Sequence, residues 1–134
     1  MNILFFLTPK SEVAYIYEDY TIRQALEKME YHRYSSIPII NKEGKYIGTI
    51  TEGDLLWTLK NDFFLDLRAI EDISITHVKR RKDNRPVFID ANIEDLISTA
   101  MNQNFVPVVD DKDTFIGIIK RRDIIEYCYD KIKA

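Results

Sequence analysis

An α/β (α+β) fold built from two tandem β-α-β-β-α repeats is predicted by three observations. A shift of 69 residues lays positions 36–56 on 105–125, with Pro38/Pro107, Ile47/Ile116, Gly48/Gly117, Ile50/Ile119 and Asp54/Asp123 identical. Apolar residues at helical spacing precede this block in both copies: Ile22, Ala25, Leu26 and Met29, then Ile93, Leu96, Ile97 and Ala100. Short β-branched runs bounded by turn residues, 37–40 and 106–109, supply paired strands. The helical register differs by 71 rather than 69, so the second copy is two residues shorter in a turn, where chain is easily lost.

Each element has a local reason. Before each first helix lies an extended stretch, 13–17 and 87–89. Thr21 with Gln24 forms a capping box ahead of the first helix, and Asn92 caps its counterpart. Pro38 and Pro107 belong near a strand start or edge, because proline removes a ladder donor. The turns 41–44 and 110–113 lead into strands 46–50 and 115–119, and second helices begin near Gly53 and Arg122. This gives a first repeat over 1–58, a bridge over 59–82 that is partly helical around 63–70, and a second repeat over 83–134. The run 3–7 reads as a short helix or strand that packs on the fold or on a second copy.

Composition narrows the functions. The chain has 134 residues, 19 Lys+Arg, 22 Asp+Glu and a formal charge of -3, without the basic excess expected of a general nucleic-acid binder. The single Cys128 excludes an intramolecular disulfide and a cysteine-based zinc site, and suits a reducing, cytoplasmic setting. No apolar run is long enough to span a membrane, and 3–7 lacks a preceding basic residue and a small-residue cleavage pattern. His32 and His77 have no neighbouring nucleophile and no spaced metal partners, and neither a GxxxxGK[ST] loop nor a GxGxxG fingerprint occurs. The expectation is therefore a protein that is not an enzyme and holds no metal. The basic run 79–82 with Arg85 reads as a solvated linker or protein contact, since aromatic residues do not interleave with it.

The sequence resembles the cystathionine-β-synthase (CBS) repeat. The resemblance rests on Ser35-Ser36-Ile37-Pro38-Ile39-Ile40 through Thr51-Glu52-Gly53-Asp54, and on Val106-Pro107-Val108-Val109 through Lys120-Arg121-Arg122-Asp123. It covers roughly residues 10 to 130 and implies a tandem CBS pair, a pseudo-two-fold Bateman module. Copy two departs from the family frame in carrying Lys120 where a hydroxyl residue is usual.

The resemblance implies adenine-nucleotide binding in composite clefts between the repeats. Carried over by position, the first cleft takes Val13, Ala14, Tyr15, Tyr34, Ser35, Ser36, Ile37 and Pro38 together with Lys120, Arg121, Arg122 and Asp123. Adenine would lie against the main chain near Ile37, Tyr34 or Tyr15 would offer a stacking face, and Asp123 would accept from ribose hydroxyls. Three cations at a helix start are unfavourable without an anion, which points to phosphate. The second cleft takes Thr51, Asp54, Arg85, Val87, Phe105, Val106 and Pro107, and is the weaker candidate. Thr51 and Asp54 also fit a capping box that needs no ligand, Phe105 would fill the adenine space, and Glu52 would repel phosphate.

Within the family the chain is similar to small stand-alone bacterial proteins that bind cyclic di-AMP. The shared features are Val13-Ala14, Tyr34 through Pro38, Asn104-Phe105-Val106 and Arg121-Arg122. Cyclic di-AMP is the first expectation and AMP, ADP or ATP the second; a ligand-free dimerisation module is the alternative. The resemblance further implies a regulatory homodimer that signals to an effector protein in trans. Its helices would present Leu55, Leu56, Trp57, Ile124, Ile125 and Cys128 to the second copy.

Overall fold

In the computed structural model, which describes residues 2–134, both copies adopt the β-α-β-β-α order. The strands are β1 (Thr8–Pro9), β2 (Ile16–Tyr17), β3 (Ser36–Ile40), β4 (Tyr46–Thr51), β5 (Val87–Phe88), β6 (Phe105–Val109) and β7 (Phe115–Lys120). The helices are α1 (Ile22–His32), α2 (Glu52–Asp62), α3 (Ile93–Ala100) and α4 (Arg121–Lys133). The strands form two sheets, one ordered β2-β3-β4 and one β1-β7-β6-β5. In both, the strand before the first helix pairs in parallel with the proline strand: Ile16 opposite Ile39, and Val87 opposite Val108. A helix-length connection between parallel strands is what such pairing requires.

The chain divides into two compact units, each discontinuous in sequence. The repeat 1 unit comprises Ala14–Glu43 and Ile47–Asp83. Its core joins Ile16, Ile22, Ala25 and Met29 to Ile37, Ile39, Ile50 and Leu55, and the bridge adds Ile70, Ile75 and Val78. The bridge is fixed by backbone pairing: Ile22 N–H donates to Ile73 O at 2.8 Å, and Ile75 N–H to Tyr20 O at 2.9 Å. It is not helical over 63–70, contrary to the sequence expectation; turns fill that stretch, and a 3-10 turn follows at Ile75–His77. The cause is the end of α2, where Phe64 and Leu65 both take positive φ, 50° and 60°. Leu65 N–H reaches back to Leu59 O at 2.9 Å and closes the helix with a left-handed cap.

The repeat 2 unit comprises residues through Val13, Gly44–Tyr46 and Asn84–Ala134. The run 3–7, read as a helix or strand packing on the fold, is a 3-10 turn over Ile3–Phe6. Ile3 (0% exposed) and Phe6 (6%) are inserted among Val87, Leu96, Val106, Val108, Ile119 and Ile124. Behind it, β1 pairs antiparallel with β7, Pro9 opposite Gly117. Gly117 is required there, because a Cβ would lie 2.2 Å from Thr8 O, and its φ is +155°. The turn Gly44–Tyr46 packs on the same unit: Phe115 N–H donates to Gly44 O at 2.9 Å, and the Tyr46 ring stacks on Phe115.

The expected outer helix face needs correcting. Leu55 and Ile124 are core residues, 1% and 4% exposed, whereas Leu56, Trp57 and Ile125 are the exposed neighbours. No helix among the described residues is long and apolar enough to cross a membrane.

Candidate functional site

The two copies start their second helices with opposite chemistry. In repeat 1, Thr51 is the N-cap of α2; its hydroxyl accepts from Asp54 N–H at 3.0 Å, and Asp54 Oδ2 accepts from Thr51 N–H at 3.0 Å. The other oxygen, Oδ1, accepts from Arg81 N–H at 3.2 Å, and the side chain is buried. Both carboxylate oxygens of Asp54 are thus bonded to main-chain donors. They close the capping box and pin the bridge, and the first turn carries Glu52 and Asp54 in favourable alignment with the helix dipole.

In repeat 2, Lys120 is the N-cap of α4 and makes no side-chain cap bond. Lys120, Arg121 and Arg122 are exposed, and among the described residues their side chains make no ion pair or hydrogen bond. Three positive side chains therefore crowd the positive end of a 13-residue helix with only Asp123 as an acid in the first turn. Asp123 is half-buried and lines a groove of about 390 Å³ beside Phe5, Phe6, Leu7 and Thr8. The main chain is nonetheless the same in the two copies: Glu52 N–H donates to Ser35 O at 2.9 Å, and Arg121 N–H to Asn104 O at 3.0 Å.

The remaining residues expected in the first cleft fall mostly in the repeat 1 unit. Ala14 and Ile37 are core residues, and Pro38 is buried, so that segment offers main chain rather than side chain. Tyr34 and Ser35 are exposed at the entry to β3, which starts at Ser36, after α1 ends on Arg33 in the left-handed conformation. The His32 ring stacks on Tyr34, centroids 5.2 Å apart, leaving the opposite face of the phenol. Tyr15 meets Tyr17 edge-on, Lys28 Nζ lies 5.7 Å from its ring centre, and burial first of all pushes its phenol pKa upward. Val13 ends the preceding 3-10 turn and belongs to the repeat 2 unit.

Of the second-cleft residues, Phe105, Val106 and Pro107 are buried in β6 and Val87 is buried in β5. Arg85 is held by its main chain: its N–H donates to Gln103 Oε1 at 2.8 Å, and its carbonyl accepts from Gln103 Nε2 at 2.9 Å. The same Nε2 donates to Phe105 O at 3.0 Å, so the buried Gln103 amide braces the segment before β5 against β6. Sequence reasoning missed Gln103, since a lone amide before a strand carries no pattern. It also missed how the basic run is divided. Arg80 pairs with Asp83 at 2.7 Å, Asp83 Oδ1 accepts from Thr49 N–H at 3.0 Å, and Arg81 lies 5.8 Å from the Trp57 ring centre.

Comparison with known proteins agrees with this two-fold repetition. The CBS domain family model matches residues 6–61 and 71–130. The uncharacterized protein MJ1426 of Methanocaldococcus jannaschii is 26% identical over 143 residues, covering 83% of each chain. MJ1225 of the same organism is 25% identical over 94% of this chain, which spans only 49% of that protein. Among solved structures, CbpB in complex with c-di-AMP superposes with a TM-score of 0.86 at 22% identity, covering 99% of this chain and 87% of that one. The Listeria monocytogenes CbpB complex with c-di-AMP gives 0.83 at 23%, over 95% and 94%. CBSX2 in complex with AMP gives 0.76 at 20%, over 99% and 98%. At these identities the structural likeness is one of fold. With a family model matched in both copies, the chain belongs to the CBS domain family and is a tandem CBS pair, a Bateman module.

Proposed function

We propose that this Bateman module is a non-catalytic regulatory protein that binds an adenine nucleotide, cyclic di-AMP in preference to AMP, ADP or ATP. The observation that carries the reading is the start of α4, where Lys120, Arg121 and Arg122 lack partners among the described residues at the positive end of a helix. Helix amides and charge-assisted bonds from two arginines suit phosphate oxygens, and a dinucleotide with two phosphates uses more of them than AMP does. Asp123, next to Arg122 in the same first turn, would accept from ribose hydroxyls. The c-di-AMP complexes of CbpB and the AMP complex of CBSX2 support the nucleotide class.

The residues expected in the second cleft favour structural roles: Asp54 of repeat 1 has both oxygens bonded, and Phe105 of repeat 2 is buried. The module works as a cytoplasmic homodimer in which ligand shifts the population of states and, with it, affinity for an effector protein in trans. Isothermal calorimetry with cyclic di-AMP, AMP, ADP and ATP tests the proposal. The expected result is one nucleotide per chain and a loss of about 1.5–3 kcal/mol in Arg121→Ala, the worth of a hydrogen bond to a charged group. Absence of heat with all four nucleotides, together with no change in melting temperature, overturns it.

A further inference from the structure

We infer that the turn closing α2 and the groove beside it form a docking surface for a basic, apolar-faced helix of a partner protein. The inference rests on the effector contact proposed above and deepens it, and the whole surface lies in the repeat 1 unit. Phe64 is the most exposed large apolar residue among the described residues, at 90%, and Leu65 and Leu67 beside it are 58% and 62% exposed. The turn that carries them is well bonded. Phe63 N–H and Leu65 N–H both donate to Leu59 O, at 3.2 and 2.9 Å, and Asp66 N–H donates to Phe63 O at 2.8 Å. Asp66 Oδ1 in turn accepts from Arg68 N–H at 3.0 Å. Phe64 and Leu65 are held at positive φ, where a side chain is strained and glycine is not. A bulky apolar residue that is both strained and exposed gives up stability where it stands, and such positions cluster at binding surfaces.

The turn stands over a recess. A groove of about 630 Å³ is lined from α1, the end of α2 and residues 67–71, with Leu26, Leu59, Leu67 and Ile70 as its apolar part. Leu59 is the residue whose carbonyl anchors the turn, so turn and groove adjoin. Charge selects the occupant. The groove carries Glu27, Glu30 and Glu71 against Arg23 and Arg68, and Asp66 and Asp72 flank residues 67–71 in the chain. Arg23 is already paired with Glu27 and Glu71, so that trio keeps one negative charge. An acidic rim repels nucleic acid and anionic lipid. It also opposes a two-fold contact with a second copy, which would set the same acids against one another. It fits a helix that places lysine or arginine beside leucine-like anchors, with the apolar side entering the groove.

A synthetic helical peptide of leucine and lysine is the probe, and its leucine–glutamate counterpart is the control. Each is titrated into the intact chain by fluorescence anisotropy, with methyl NMR on the same samples. The expected result is binding of the lysine peptide alone, weakened by salt, with shifts at Leu26, Leu59, Leu65 and Leu67. Leu67→Ser and Phe64→Gly should each weaken it by about tenfold, the order expected for an apolar anchor. Both remove side chains already in solvent, and Phe64→Gly also relieves strain, so weaker binding without a lower melting temperature separates docking from folding. No binding of the lysine peptide, equal binding of the glutamate peptide, shifts confined to other leucines, or unchanged affinity in either variant overturns the inference. So does a fall in the sedimenting mass of the free chain in either variant, which assigns the surface to a second copy. Nucleotide titration of the same chain is read separately. Peptide binding without nucleotide binding counts against the proposed ligand alone, and the reverse counts against this surface alone.

Discussion

Asp54 and Asp123 occupy the same position in the two repeats and are expected to respond oppositely to substitution. Asp54 is 3% exposed and accepts two main-chain hydrogen bonds, from Thr51 and from Arg81. Asp54→Ala removes both acceptors and leaves two poorly solvated N–H groups at the joint between α2 and the bridge. Bonds to a charged acceptor contribute roughly 1.5–3 kcal/mol each, so the expected loss is about 3–6 kcal/mol. At roughly 3–5 °C per kcal/mol for a chain of this size, melting should fall by about 10–30 °C. Asp54→Asn keeps one acceptor oxygen but presents an NH2 to the other donor, so its loss should reach at least half that of alanine. Asp123→Ala removes a half-buried carboxylate and should change stability by under about 1 kcal/mol, while weakening nucleotide binding. Urea denaturation followed by circular dichroism, with calorimetry on the same variants, measures both. The reasoning is refuted if Asp54→Ala costs less than about 1 kcal/mol, or if Asp123→Ala destabilises as much.

Other outcomes are as specific. Phe64 follows the Phe63 C-cap of α2 at φ 50° with its side chain 90% exposed, so Phe64→Gly relieves left-handed strain and gives up almost no packing; stability should rise by about 1 kcal/mol, and a lowered melting temperature contradicts this. Gly117→Ala places a methyl against Thr8 O, where only backbone can yield, and should free β1 for roughly 2–4 kcal/mol; hydrogen exchange at Ile118 and Leu7 should quicken, and unchanged protection refutes it. Main-chain donors from Thr114, then Lys112, hold the Asp110 carboxyl below the usual carboxylate range. A lowered folded pKa means this support is present above the unfolded value near 3.9 and is lost as pH falls through the lowered one. Asp110→Asn should therefore flatten the decline in urea midpoint between about pH 4 and 2, and an unaltered slope counts against it.

Much of the fold was legible because the signals are local. The caps at Thr21, Thr51 and Asn92 depend on residues three or four apart; those of Thr21 and Asn92 form as expected, and Thr51 forms the capping box given as the alternative to its ligand role. Partner choice over long distances left no such trace. The spacing of Ile3 and Phe6 marks an apolar turn but does not say that it fills the core around Ile119 and Ile124. Likewise Ile70 and Ile75 could not be assigned to repeat 1 from their own neighbours. In the helices, adjacent pairs such as Leu55-Leu56 and Ile124-Ile125 defeat periodicity, since either member completes a stripe, and the structure buries the first of each. At the site, the basic triplet 120–122 was visible as charge, but the exhaustion of Asp54 by two backbone donors was not, because Arg81 is 27 residues away.

The insertion of Ile3, Phe6 and β1 into the repeat 2 unit has a consequence for how the chain is made. Thr8 pairs with Ile118, so the arm is synthesised more than a hundred residues ahead of the strand that receives it. Among the described residues, repeat 1 draws its core from residues 14–78 and can close earlier, while the arm remains without its partner strand until β7 has left the ribosome. Bringing such distant segments together is entropically slow, and the last third of the chain sets the pace. A nascent chain halted before residue 115 should therefore carry a protease-sensitive segment 3–9 ahead of a protected repeat 1, and completing β7 should be the event that shields it.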